Sequence, residues 1–214
     1  MRNDNLPSLQ TLKQLDLKII GEIMNKIRIK NESFSNLYEY SKIPISFQVE
    51  SIYKIKLKKA GIDGLDIQEE KVGNPYLKDY DVFESPMDWP AKFDLKNWAV
   101  FFAYINENVV GGATVAFNTK NVNMLDGRDD LTVLWDIRVK PEHRNKGVGS
   151  KLLEKCESWA KIKKCRRMKI ETQNINVKAC KFYKNHGYFL GGYHQFEYSC
   201  CPDEIMFLWY KDLN

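Results

Sequence analysis

The chain has 214 residues, 43% of them hydrophobic, with 33 Lys and Arg against 28 Asp and Glu for a formal charge of +5. Such a chain can bury one substantial core. No apolar run reaches the roughly 18 residues of a membrane helix, and the polar start MRNDNLPSLQ lacks a signal peptide's apolar segment. A cytoplasmic protein with no membrane partner is expected. The basic residues are scattered among acids rather than interleaved with aromatics, so no nucleic-acid partner is expected.

Leu9, Leu12, Leu15, Ile19, Ile23 and Ile27 recur at helical spacing, predicting an amphipathic helix from about Ser8 to Lys30. Strand-like alternation follows in Ile43 to Lys58, then the turn AGIDG and a polar, acidic stretch to Asp94. Pro75, Pro86 and Pro90 make that stretch read as loop-rich. Trp98 to Asn106 and Val109 to Phe117 read as a hairpin. Asn118 to Asp130 is a polar loop, and Leu131 to Val139 is a strand that Pro141 ends.

The turn after that strand, RNKGVG, is built to hold a phosphate. Gly147 and Gly149 let the backbone approach a ligand closely, and the helix they open points unpaired N–H groups and a positive dipole end at it. Arg144 and Lys146 add cations. The helix itself carries a stripe of Leu152, Leu153, Cys156, Trp159 and Ala160 and ends near Lys163. The basic run KKCRRMK, Lys163 to Lys169, reads as a solvated helix end. Met168 to Gln173 is a short strand, Asn176 caps a helix running to His186, and Gly187 sits at a left-handed C-terminal cap. Tyr188 to Tyr198 and Glu204 to Tyr210 read as two final strands. Alternating strands and helices around one mixed sheet give an α/β or α+β layered fold.

The five cysteines, Cys156, Cys165, Cys180, Cys200 and Cys201, show no CxxC spacing, so they read as buried or idle thiols. His143, His186 and His194 have no paired-ligand spacing, and no metal is expected.

WDIRVKPEHRNKGVG resembles the acetyl-CoA signature (R/Q)xxGxG/A of the GNAT superfamily of N-acetyltransferases, and NINVKACKFYKNHGY, Asn174 to Tyr188, resembles its second cofactor segment. LWDIRVKPEHR, ETQNINVKACKFY and the terminal LWYK are similar to the streptothricin acetyltransferase branch in particular. The resemblance covers Trp98 to Asn214. It implies a mainly antiparallel sheet with helices on both faces and a splayed central strand pair, in one domain from residue 45 to 214. Residues 1–44 form an N-terminal helical segment with no assigned role.

The resemblance also implies acetyl-CoA as co-substrate. Carried over, Ile137 and Val139 offer backbone groups to the pantetheine arm, and Arg144, Lys146, Gly147, Val148 and Gly149 hold the pyrophosphate. Asn176 reaches the pantetheine arm, with a plain helix cap as its alternative role. Tyr183 sits near the CoA sulfur as general acid, with a core aromatic as its alternative.

Acetyl transfer to an amine needs a proton acceptor for the ammonium. Asp136 and Glu171 are the carboxylates best placed in sequence. Strand alternation puts Asp136 opposite Ile137 and Trp135 unless a bulge intervenes, and an ion pair with Arg138 or a lysine is its structural alternative. Glu69, Glu70, Tyr76, Asp79, Tyr80, Asp81, Glu84, Asp88, Trp89, Asp129 and Asp130 could line a pocket for a cationic amine, or be solvated loop. The expected activity is therefore acetylation of a small-molecule primary amine such as the β-lysine portion of streptothricin. A protein or peptide N-acetyltransferase and a non-catalytic acyl-CoA-binding module are the alternatives. Sequence leaves the assembly open between a monomer and a homodimer.

Overall fold

The computed structural model describes residues 26–213. Among the described residues, nine strands form two sheets, flanked by four helices. The strands are β1 (Arg28–Glu32), β2 (Phe47–Leu57), β3 (Leu65–Lys78), β4 (Trp98–Ile105), β5 (Asn108–Phe117), β6 (Leu131–Val139), β7 (Arg167–Gln173), β8 (Phe189–His194) and β9 (Met206–Asp212). The helices are α1 (Leu37–Ser41), α2 (Trp89–Lys92), α3 (Val148–Ile162) and α4 (Val177–Asn185). Seven strands form the main sheet in the order β1-β4-β5-β6-β7-β9-β8, while β2 and β3 pair apart from it. Every pairing in the main sheet is antiparallel except β6 with β7.

The β4–β5 hairpin forms as its alternation predicts. Asn106 and Glu107 both take left-handed backbone angles at its tip, the conformation a tight two-residue hairpin turn requires. One face of the sheet is covered by α3 and α4. The helix α3 buries Val148, Leu152, Leu153, Cys156 and Ala160, which fall on one stripe at helical spacing. They share a core with Phe101, Val115, Leu134, Ile170, Phe207 and Tyr183. The other face packs Leu37 and Tyr40 of α1 and Trp89 of α2 against Val100 and Phe102. Helices on both faces of a mixed, mainly antiparallel sheet agree with the expected layered fold.

Several elements differ from the sequence reading. The predicted helix from Ser8 lies mostly outside the described residues, and its last part, Arg28 to Lys30, is strand β1, paired with β4. The acidic stretch holds a strand of fourteen residues, β3, paired with β2. That strand was hidden because most of its own residues are exposed and its apolar alternation is broken around Gly73 and Pro75, where the register shifts. The strand predicted over Tyr188 to Tyr198 stops at His194, leaving a loop to Ile205. The basic run is not wholly solvated: Lys169 is buried on β7 and its ammonium is held by both oxygens of Asp126 at 3.0 Å.

Asn174, also buried, ties the outer hairpin to the main sheet. It exchanges bonds with the Tyr53 backbone on β2, and its Oδ1 accepts from the Ile205 N–H.

Candidate active site

The β6–β7 ladder runs only from Leu131–Arg167 to Leu134–Ile170. Beyond it the strands part, and Trp135 to Val139 on one side and Glu171 to Gln173 on the other line a cavity of about 930 Å³. A parallel pair that stops pairing halfway leaves backbone N–H and C=O groups for a ligand to take up. The gap coincides with a β-bulge. Thr114 pairs with Asp136 and Val115 with Leu134, so Trp135 is the extra residue. The bulge resolves the alternation question: Asp136, like Arg138, reaches Tyr40 on α1, while Ile137 and Val139 pack with the α3 and α4 core.

At one end of the cavity stands the glycine turn. Gly147 is left-handed, with φ 82°, at the N-cap of α3, and Gly149 follows in the first turn. Both line the cavity, with Arg144, Asn145 and Ser150. The cationic side chains are less free than their types suggest. Arg144 donates through Nε to the Val139 carbonyl at 2.9 Å and through Nη2 to the carbonyls of Pro44 and Ser46. Lys146 donates to the Glu142 carbonyl at 2.7 Å. Val148 turns its side chain into the core, and neither it nor Lys146 lines the cavity. What the turn presents is chiefly backbone N–H at a helix N-terminus, with the Arg144 guanidinium bracing the loop.

Asn176 caps α4 by accepting from the Ala179 N–H at 3.1 Å. That bond uses Oδ1 alone, and among the described residues Nδ2 has no partner; Asn176 lines the cavity. Tyr183, two turns on, is 4% exposed and also lines the cavity. Burial holds its hydroxyl well above the ordinary tyrosine range, and the charge of Asp136 pushes the same way. The hydroxyl therefore stays protonated, as a proton donor must. Burial also pushes the Cys180 thiol up to about 11 and raises that of Cys156, which fits idle core thiols rather than nucleophiles.

The two candidate carboxylates have different surroundings. Asp136 is committed on both oxygens: Tyr40 Oη and Arg138 Nε donate to Oδ1 at 2.6 and 2.9 Å, and Arg138 Nη2 donates to Oδ2 at 2.6 Å. Arg138 is itself buried and also reaches Asp81 and the Ile43 carbonyl. Glu171 forms no ion pair among the described residues. Tyr198 Oη donates to its Oε1 at 2.6 Å, and Gln173 Nε2 reaches Tyr198 Oη at 3.0 Å and the same Oε1 at 3.5 Å. Burial raises the Glu171 carboxyl above the usual range, opposed by the bond from Tyr198.

Of the acidic and aromatic residues preceding the cofactor motifs, Tyr80, Asp81, Glu84 and Trp89 line the cavity. Glu84 is also paired with Lys92, and most of the remaining acids are engaged elsewhere. Glu69 pairs with Lys181 and Glu70 with Lys54, Asp88 closes a capping box with Ser85, and Asp130 holds Arg128. The lining carries four carboxylates, Asp81, Glu84, Asp136 and Glu171, with Arg138 set among them; its other cations, Arg144 and Lys178, come from the glycine turn and α4. Tyr40, Gln173 and Tyr198 escaped the sequence reading. Tyr198 acts across 27 residues and Tyr40 across 96, and no local motif marks either.

Residues 69–188 match the acetyltransferase (GNAT) family. Streptothricin acetyltransferase A of Bacillus subtilis (strain 168) is 32% identical over 144 residues, covering 66% of this chain and 76% of that protein. Streptothricin acetyltransferase of Escherichia coli is 28% identical, covering 77% and 84%. A solved Bacillus anthracis protein, assigned as a streptothricin acetyltransferase and in complex with acetyl coenzyme A, superposes with a TM-score of 0.66 at 26% identity, over 88% of this chain and 98% of that one. A nourseothricin acetyltransferase shares the fold, with a TM-score of 0.70 at 20% identity over 88% and 99%. With a glycine turn at a helix N-terminus, a parted parallel strand pair and more than half its length matched, the chain belongs to the GNAT family of acetyltransferases.

Proposed function

We propose that the protein transfers the acetyl group of acetyl-CoA to a primary amine of a small cationic molecule, streptothricin or a compound of similar charge. The observation that carries this reading is Glu171. It is a carboxylate raised by burial, with no ion pair among the described residues, lining the cavity where the strands part. Asp81 and Glu84 extend the acidic wall, and the streptothricin acetyltransferases similar to this chain support the choice of substrate.

In this reading the pyrophosphate sits on the backbone N–H groups of Gly147, Val148 and Gly149, with Arg144 and Lys146 shaping and charging the turn. The pantetheine arm bonds the exposed backbone of Ile137 and Val139 and the Nδ2 of Asn176. Glu171 takes one proton from the ammonium, and the nitrogen lone pair forms a bond to the thioester carbonyl carbon. Backbone N–H at the strand gap stabilises the oxyanion. As the intermediate collapses the C–S bond breaks, Tyr183 gives its proton to the departing thiolate, and the phenolate regains one from the nitrogen. Asp136 serves in this scheme as the anchor of Arg138 and Tyr40 rather than as the base.

The test is acetyl transfer from acetyl-CoA to streptothricin, spermidine and lysine-bearing peptides, with products identified by mass. Acetylated streptothricin or polyamine at rates far above the peptides is the expected result. Acetylation of peptides alone would overturn the small-cation reading.

A further inference from the structure

The loop from Gln195 to Ile205 carries two side chains that reach the cavity region from outside both cofactor motifs. Glu204 accepts from Tyr80 Oη at 2.8 Å and pairs with Lys78 at the end of β3. Tyr198 donates to Glu171 Oε1 at 2.6 Å and is half-buried. The second bond has a directional partner, because Gln173 Nε2 donates to the phenol oxygen at 3.0 Å. A hydroxyl oxygen that accepts from an amide is oriented to spend its proton on the carboxylate. Among the described residues, every hydrogen bond that Glu171 receives from a side chain lands on Oε1, so Oε2 is left without a side-chain donor on a residue that lines the cavity.

We propose that Tyr198, oriented by Gln173, is the positioning residue for acetyl transfer: it fixes the Glu171 carboxylate by one oxygen and leaves the other to the substrate ammonium. The proposal rests on the reading of Glu171 as proton acceptor and adds to it how the carboxylate is kept both charged and aimed. Burial alone would hold Glu171 protonated further up the pH scale; a hydrogen bond from a phenol to the charged form counteracts that. The other charges acting on Glu171 are Glu197 of the same loop, which raises it, and Lys169 on β7, which lowers it and is itself held by Asp126.

The test compares kcat/KM against pH for the wild type, Tyr198→Phe and Glu171→Gln, with one amine substrate and saturating acetyl-CoA. The amine's own ionisation is common to all three, so a difference between them belongs to the enzyme. Removing a hydrogen bond to a charged group is expected to move the acid limb of Tyr198→Phe toward higher pH by about one unit or more. The rate should recover toward the wild-type plateau in alkaline solution, with CoA affinity unchanged by calorimetry. An acid limb unmoved in Tyr198→Phe, while Glu171→Gln is slow, would overturn the proposal and leave Glu171 standing. A Glu171→Gln variant as fast as wild type would overturn the reading beneath it, and the proposal with it. Should Tyr198→Phe lose CoA binding through misfolding, Gln173→Leu gives the same comparison, since it removes the donor that orients the phenol: a limb shifted the same way supports the proposal and an unshifted one rejects it.

Discussion

Gly149 has room for a methyl group: a Cβ there would touch only the Phe182 ring, at 3.4 Å and beyond, with Val139 at 4.0 Å. Gly149→Ala is therefore expected to fold and to bind CoA, whereas Gly149→Asp sets a negative charge where the phosphates must sit and should abolish binding. Calorimetry on the two folded variants separates bulk from charge; equal affinities would remove the pyrophosphate from this turn. Tyr183→Phe makes a second residue-scale case. The ring keeps its contacts with Phe182 and Tyr188, so CoA affinity should hold while the chemical step slows by about a hundredfold, the usual scale of general-acid help. Wild-type single-turnover rates in this variant would make Tyr183 a packing residue only. The turn, Asn176 and Tyr183 were legible in the sequence because each depends on a short motif beside a strand or helix start. The division of labour between Asp136 and Glu171 was not, because it depends on Tyr40 and Tyr198, side chains that arrive from distant elements.

The bulge in β6 and the helix α1 depend on one another at the scale of elements. Tyr40 lies flat on β5 only because Gly112 has no side chain; a Cβ there would stand 2.5 Å from Tyr40 Cε2. Gly112→Ala is expected to displace the ring, loosen Tyr40 from Asp136 and lower stability by about 1–3 kcal/mol, the usual cost of overpacking. A denaturant midpoint equal to wild type would show that the ring moves aside freely. Sequence reading found β4, β5, β6 and β7 because their buried residues form near-continuous, mainly apolar runs, and α3 and α4 because each buries one apolar stripe at helical spacing. It missed β3, most of which is exposed and shows no regular alternation, and it ran β8 past His194 because the aromatics Phe196 and Tyr198 of the following loop imitate a strand.

At the scale of the molecule, a half-buried carboxylate with no ion pair among the described residues, proposed as the base, trades stability against chemistry. The Glu171 carboxyl is raised in the folded protein, so the folded state favours its protonated form; the stability is full below the ordinary glutamate pKa and declines as pH rises through the raised value. Glu171→Gln should consequently melt higher than wild type at neutral pH, with the gap closing below about pH 4. Identical melting curves at pH 7 would mean that the site is wet enough to solvate the charge. The acidic wall makes a linked demand on the substrate. Activity toward a polycationic amine should fall as salt shortens the reach of Asp81 and Glu84 from about 10 Å at 0.1 M to about 3 Å at 1 M, while activity toward a singly charged amine changes less.

The central claim, that Glu171 accepts the ammonium proton while Asp136 holds the scaffold, is tested most directly by kcat/KM on one cationic amine across pH for Asp136→Asn and Glu171→Gln, each checked for CoA affinity. The account predicts that Glu171→Gln loses most activity and the acid limb with it, at unchanged CoA binding, and that Asp136→Asn keeps a pH profile of wild-type shape at a reduced rate and stability. An Asp136→Asn variant that loses the acid limb, beside a Glu171→Gln variant that keeps it, would contradict the account.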